Sequence, residues 1–499
     1  MAATLSLNVR GAPTIMERMT VLLRGARTPG STREIDVRLA EGVVASVTPT
    51  GEGEVRPGDD VVDARGATVV PGLVDAHVHW SQWAQVRRRV DVGHARGPEE
   101  VATTMAAAAP GVPGLVVGHG FRAALWSRPP HKEMLERAAP GVPIAVVSDD
   151  LHAVWLSPAA LVLLGREHPT GLLREHEAFA LMTELSTAPD PAELDRWVAA
   201  ASTEAAARGL TGVRDFEYDD TVATWTRRAE HGLALRVAAA VWEPWLDATL
   251  HRGHRTGDAV TDLVTVGPFK ILADGSLNTR TAACHHAYPD PADGHGALNI
   301  DPGDLRDLMA RVARAGLHPA VHAIGDRANA VVLDAFAHVD GPGSIEHAQL
   351  VATEDVARFA RPGLVASVQP AHLVDDRDVA ERHWPDVHAR AYPYADLVAA
   401  GARLELGSDA PVSPPDPWVA IAAAVARSGD ERPPWHPEQA LDVATALRAS
   451  CGGRLELRPG DPADVALLDA DPLHADPGTL RAMPVRATVL AGRFTHGAG

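Results

Sequence analysis

PGLVDAHVH, residues 71–79, is the stretch from which the fold is read. A turn-forming Pro-Gly pair leads into an apolar run that ends in His77 and His79. On a β-strand, residues two apart share a face, so both imidazoles can grip one metal ion. Histidine pairs of this spacing also arise by chance in a chain with 24 histidines in 499 residues. What separates this pair from chance is its place at the end of a buried apolar strand, where two unpartnered imidazoles would be expensive to bury.

Outward from this strand, short β-rich runs alternate with Ala/Leu/Arg-rich stretches of helical period, the pattern of a parallel sheet built from βα units. Eight runs qualify as strands: GLVDAHVH, LTGVRDF, LRVAAAV, TVGPFKIL, HPAVHAI, GSIEHAQ, LVASVQP and RLELGSD. The expected fold is therefore α/β, a (β/α)8 TIM barrel, which takes ~250 residues before insertions. TVLLRGAR, EIDVRLA, GVVASVTP and DVVDARGATVVPG near one end, and PADVALLDAD and VRATVLAGRF near the other, read as strands of a small β-sandwich domain formed by both termini. The expected division is 1–70 plus 452–499 for that domain and 71–451 for the barrel. An insertion at about 110–177, with the apolar runs GLVVGHG and VPIAVVSDD, is expected over the barrel mouth.

Composition narrows the function. Subtracting 65 acidic from 46 basic residues gives a net charge of −19, which argues against nucleic acid and against an anionic membrane surface. The opening MAATLSLNVRGAPTIMERM carries charges among its apolar residues, and no stretch reaches the ~18 apolar residues of a spanning helix, so a cytoplasmic protein is expected. Cys284 and Cys451 are too few for a disulfide framework or a cysteine-based metal site. Only Lys132 and Lys270 are lysines, the other 44 basic residues being arginine, so a lysine inside the apolar run VGPFKILADG is conspicuous.

Further strand ends supply His322 (LHPAVHAIGDRAN), His347 (SIEHAQLV) and Asp409 (LELGSDAPV). Each alone reads equally well as a satisfied core histidine or a helix cap; together they fall at the ends of strands five, six and eight, where a barrel assembles its active site. Lys270 ends strand four. A desolvated neutral amine can take up carbon dioxide to give an anionic carbamate able to bridge two metals, which arginine cannot do. The alternative is a cationic Lys270 paired with a substrate carboxylate or a nearby aspartate.

PGLVDAHVH, FKILADGSLNTRTA, HAIGDRAN, IEHAQLV, QPAH and GSDAPV, in this order, resemble the amidohydrolase superfamily, specifically its family 3 branch, which includes YtcJ-like proteins and N-substituted formamide deformylases. The resemblance runs from about Thr20 to about Phe494. It implies a divalent metal cofactor in two positions, with His77 and His79 on one, a carboxylated Lys270 as the bridge, His322 and His347 on the other, and Asp409 as ligand and catalytic base; two zinc ions are expected, although nitrogen and oxygen ligands suit iron, manganese, cobalt or nickel as well. It implies a hydrolase cleaving a C–N bond in a small amide-like substrate, with Asp409 as general acid and base. SDDLHAVWLSPAAL resembles a segment that reaches the site, making Asp150, His152 and Trp155 candidates for substrate binding, although Trp155 suits lid packing equally. Arg280 follows Lys270 closely enough to contact an anionic substrate. Asp75 and Glu346, near in sequence, are expected on the opposite strand face from the ligands. Asn278 and Thr279 depart from the usual Gly-Ser of the branch, and the helix-turn before RLELRPGDPAD is shortened. A mononuclear deaminase or related hydrolase of a heterocyclic ring in the same superfamily, with Lys270 no ligand, and a non-catalytic binding protein on the same fold are the competing readings. A homodimer is compatible with the sequence.

Overall fold

The computed structural model describes residues 20–186 and 190–497; the opening segment MAATLSLNVRGAPTIMERM lies outside the described residues. Eight parallel strands form the central sheet in chain order: β1 (Leu73–Val78), β2 (Leu210–Asp215), β3 (Arg236–Val241), β4 (Val264–Leu272), β5 (Pro319–Ala323), β6 (Gly343–His347), β7 (Leu364–Val368) and β8 (Arg403–Leu406). These are the eight runs picked out by their apolar character, as expected where both faces of a parallel sheet are covered. Each consecutive pair from β1 to β8 is a hydrogen-bonded ladder.

The ring closes differently. β8 and β1 meet beyond the end of β8, where Asp409 N donates to His77 O at 2.7 Å and His79 N donates to Ala410 O at 2.7 Å. The buried Asp75 carboxylate adds to this seam, its Oδ1 accepting from Ser408 N at 2.8 Å and from His77 N at 3.2 Å. Gly407 makes the approach possible, since a methyl group on its Cα would fall 2.7 Å from the backbone nitrogen of His77.

Helices cover the outside of the barrel. In the helix Pro302–Arg314, Leu305, Met309 and Val312 recur at a spacing of four and three residues and are buried on one face, while Arg306 and Arg311 point outward. Asp301 caps its first turn, accepting from Gly303 N at 2.8 Å, with Pro302 at the first helical position. Each such buried aliphatic side chain contributes about 1.5–3 kcal/mol, far more than the cap.

Both ends of the chain build one β domain. Strands Thr20–Arg27, Glu34–Ala40, Val43–Pro49, Asp59–Asp63 and Thr68–Pro71 join Val465–Leu468, Val485–Leu490 and Arg493–His496 in an eight-stranded sheet with a core of its own, which includes Val21, Leu39, Val69, Leu467 and Val489. A third sheet, from the segment between β1 and β2, has five strands: Val90–Asp91, Val116–Phe121, Ile144–Ser148, Ala153–Leu156 and Leu172–Arg174. It starts ahead of residue 110, because Val90–Asp91 already pairs with Val116–Phe121. It has two apolar clusters of its own and reaches the mouth of the barrel through Asp150, His152 and Glu175.

Candidate metal centre

The C-terminal ends of the barrel strands turn six residues toward one space. His77 lies within β1 and His79 just past its end, Lys270 is near the end of β4, His322 is in β5, His347 closes β6, and Asp409 follows β8 by three residues. His77, His347 and Asp409 hold donor atoms all within 4.8 Å of one another. Asp409 Oδ1 lies 3.5 Å from His77 Nε2 and 3.4 Å from His79 Nε2. Lys270 Nζ lies 3.3 Å from His77 Nε2, and the rings of His322 and His347 meet edge to face at 4.5 Å. His322 Nε2 is 3.1 Å from Gly275 O and 3.5 Å from Asp274 Oδ1.

Electrostatics favour metal binding. Burial, together with Lys270, holds the His77 imidazole well below its ordinary range and that of His322 down at about 3; burial does the same to His347, so these rings are uncharged and carry free lone pairs. Burial would neutralise Asp409, but His79, whose imidazole Asp409 in turn raises above its ordinary range, helps hold it a carboxylate below the usual range. Burial draws the Lys270 amine down to about 8. Buried polar atoms need partners, yet His79 Nδ1 and His347 Nδ1 have no hydrogen-bond partner among the described residues. Neutral imidazoles and an ionised carboxylate on one spot suit a divalent metal, with His77, His347 and Asp409 as the candidate donors.

Two of these candidate donors sit in strained backbone. His347 has φ +73° and Asp409 φ +57°, a left-handed conformation that side chains other than glycine rarely adopt. At His347 this breaks the alternation of β6 and corrects the expectation for Glu346. Glu346 does not turn away from the ligands: its Oε2 accepts from His77 Nδ1 at 2.7 Å, fixing that ring so that Nε2 faces the site. Ser344, two residues earlier on the same face, donates to the other carboxylate oxygen. Asp75 lies on the ligand face too, but serves the backbone at the seam rather than a ring nitrogen.

His372 was not among the expected site residues. It follows β7 in QPAH, its ring stacks on His347 at 6.3 Å, and its Nε2 lies 3.9 Å from Asp409 Oδ2. The signal was its position, at the end of a barrel strand like the others. Glu217, just past β2, also lines the cavity, accepting from Gln82 N at 2.8 Å and Gln82 Nε2 at 2.9 Å.

Above the donors opens a cavity of about 1120 Å³. Asp150 and His152 line it; Arg280 and Trp155 do not. Arg280 is instead paired with Asp293 at 2.5 Å on a separate, smaller cavity. Trp155 is fully buried in the insertion, 6.4 Å from Phe121. Asn278 lines the main cavity, and Thr279 donates to Glu175 beside it.

Similarity to known proteins agrees with this geometry. The pattern of the amidohydrolase family matches residues 60–496. The putative amidohydrolase YtcJ of Bacillus subtilis is 26% identical over 88% of this chain and 91% of its own, and the N-substituted formamide deformylase of Arthrobacter pascens is 28% identical over 88% and 90%. An uncharacterized metal-dependent hydrolase from Pyrococcus horikoshii superimposes with a TM-score of 0.76 at 25% identity, covering 92% of this chain and 99% of that one. With these likenesses, the barrel and the divalent-metal donor set make the protein a metal-dependent hydrolase, and the chain belongs to the amidohydrolase family.

Proposed function

We propose that the protein hydrolyses a C–N bond in a small amide-like molecule, with Asp409 moving the proton. The convergence of His77, His347 and Asp409 within 4.8 Å, with Lys270 Nζ against His77, carries this reading. His77, His79, His322, His347 and Asp409 would hold zinc, with Lys270 as a carbamate bridging two ions; nitrogen and oxygen donors suit zinc. Bound zinc lowers the pKa of water from about 15.7 toward ~7 and polarises an acyl oxygen.

The protein's own groups do the rest. Asp409 stands among the candidate donors, its Oδ1 3.5 Å from His77 Nε2 and 3.4 Å from His79 Nε2, where it would take a proton from the attacking water and deliver it to the departing nitrogen. Glu346 keeps the His77 ring in one orientation throughout. The cavity wall carries Phe179, Tyr218, Trp242, Leu308 and Val379, which favour a substrate with an apolar part beyond the scissile bond.

The test is a screen of N-acyl, N-formyl and cyclic amides with zinc-reconstituted protein, following release of amine and carboxylate. Turnover that is lost on chelation and restored by zinc is expected. Ammonia release from ring amidines alone, with one ion per chain and no response to bicarbonate during reconstitution, would replace this reading with the mononuclear deaminase.

A further inference from the structure

The insertion brings an imidazole to the metal donors. His152 stands in the turn between the strands Ile144–Ser148 and Ala153–Leu156, lines the main cavity, and has its ring 6.1 Å from that of His322. Its position is fixed from several sides. His152 Nδ1 is 2.9 Å from Glu175 Oε2, while Glu175 N donates to His152 O at 2.9 Å, so the same residue holds both ring and backbone. The other oxygen of Glu175 accepts from Thr279 Oγ1 at 2.7 Å and Thr281 Oγ1 at 2.6 Å, both in the loop after β4. Asp150 completes the latch, accepting from Ser276 Oγ at 2.8 Å and from His152 N at 3.2 Å. Glu175 holds this place with φ +47°, a strained backbone maintained by the contacts around it.

This arrangement has a chemical consequence. With Nδ1–H donated to a carboxylate, Nε2 is the nitrogen left to meet a ligand, as in other carboxylate–imidazole pairs in which the acid sets the ring's orientation. A latch that only joined insertion to barrel would not require an imidazole facing the cavity, since Glu175 already bonds Thr279 and Thr281 directly. We propose that His152, held by Glu175, is a catalytic residue whose Nε2–H donates a hydrogen bond to the acyl oxygen of the substrate. The proposal rests on the C–N hydrolase reading and adds a named role at the same site. As the oxygen of water bonds to the acyl carbon, the π pair of the C=O bond moves onto the acyl oxygen, where His152 meets the new charge. The proton of the water passes to Asp409. When the pair returns, the C–N bond breaks and the departing nitrogen takes that proton. His152 donates the hydrogen bond without giving up its proton, and the step needs no further reactant.

The test uses the full-length, zinc-loaded protein, with His152→Ala and His152→Gln variants, the latter filling similar space and offering a neutral N–H. With the amide found active in the screen, His152→Ala should lower kcat by ~10²–10³, the loss seen when one oxyanion donor is removed, with little change in KM. His152→Gln should recover part of kcat, and zinc content should equal wild type in both. A second readout needs no turnover: acetohydroxamic acid, whose carbonyl oxygen mimics the acyl oxygen, should bind His152→Ala at least about tenfold more weakly, the worth of one hydrogen bond to a charged group. If His152→Ala does not fold, His152→Gln compared with His152→Leu carries the same measurements. Unchanged kcat and acetohydroxamate affinity in a folded variant would overturn the role, as would loss of zinc together with activity, which would make His152 a structural latch. If wild type cleaves no amide at all, the parent reading fails by itself. The acetohydroxamate comparison then still decides His152: weaker binding upholds it as an oxygen-holding group, and equal binding removes it.

Discussion

Lys270 is where sequence composition and geometry meet: one of two lysines in the chain, it is buried beside His77 with its amine drawn down to about 8. If its carbamate bridges the metals, Lys270→Arg should fold yet be inactive, since a guanidinium keeps the charge but cannot form the adduct. Lys270→Ala should be inactive too, but added propionate should restore part of its turnover by standing in for the missing carboxylate. Mass analysis at neutral pH should find one extra carboxyl group on the wild-type chain, and a plain amine in fully metallated, active protein would remove the bridge. Asp409→Asn keeps the shape and removes the basicity, so a folded chain with turnover reduced at least ~10²-fold is expected; near-normal rates would take Asp409 out of its role. His77, His347 and Asp409 were legible because strand ends in a barrel converge. Glu346 was not, because the positive φ of the residue after it cannot be seen in a sequence, and Arg280, near Lys270 along the chain, pairs with Asp293 away from the main cavity, because proximity along a loop says little about direction. Trp155 lies in the insertion's apolar core and not in the cavity wall, the packing position that its sequence context also allowed.

Among the elements, the eight barrel strands were easy to read because strands buried on both faces are written as nearly continuous apolar runs. Their seam was hidden, since it depends on a glycine and a carboxylate that touch only in three dimensions. At Gly407 the nearest atoms are backbone and Cβ of His77, which cannot swing aside, so Gly407→Ala should cost about 1–3 kcal/mol as an overpacked core position does. Thermal unfolding together with zinc titration would check this: a lowered midpoint and weaker zinc binding are expected, and wild-type values in both would show that the seam is more pliant than it looks. The insertion carries a separate pH dependence. Burial, aided by Arg89, holds His119 in the strand Val116–Phe121 down at about 3, against an ordinary value of 6.5. Between those values the unfolded chain binds a proton that the folded chain refuses, so stability is complete above pH 6.5 and falls as the pH drops toward 3. The slope from this group is about 1.4 kcal/mol per pH unit, and denaturant titrations of His119→Leu should show a shallower acid slope than wild type. Equal slopes would assign the acid sensitivity to other groups.

For the molecule as a whole, the β domain made from both chain ends packs against the barrel rather than hanging from it. Gly72 N donates to Asp464 O at 2.8 Å, Arg236 pairs with Asp464, and Thr488 Oγ1 donates to Ala206 O at 2.6 Å. The pairing of the two ends was readable from their strand patterns, because neither end alone has enough apolar surface for a core. These contacts leave the seam between β1 and β8 as the place where closure rests on few hydrogen bonds. His77 stands on one side of it and Asp409 on the other. An ion held by both would therefore act as a rivet through the join of a hoop, and metal supply would govern how long the protein survives as well as what it does. After chelation, amide hydrogen exchange should rise in residues 73–79 and 403–410 before it rises in 264–272. A protease should then cut the metal-starved chain near that join while leaving the loaded chain whole, and a digest that cuts both alike would show that the hoop stays shut without its rivet.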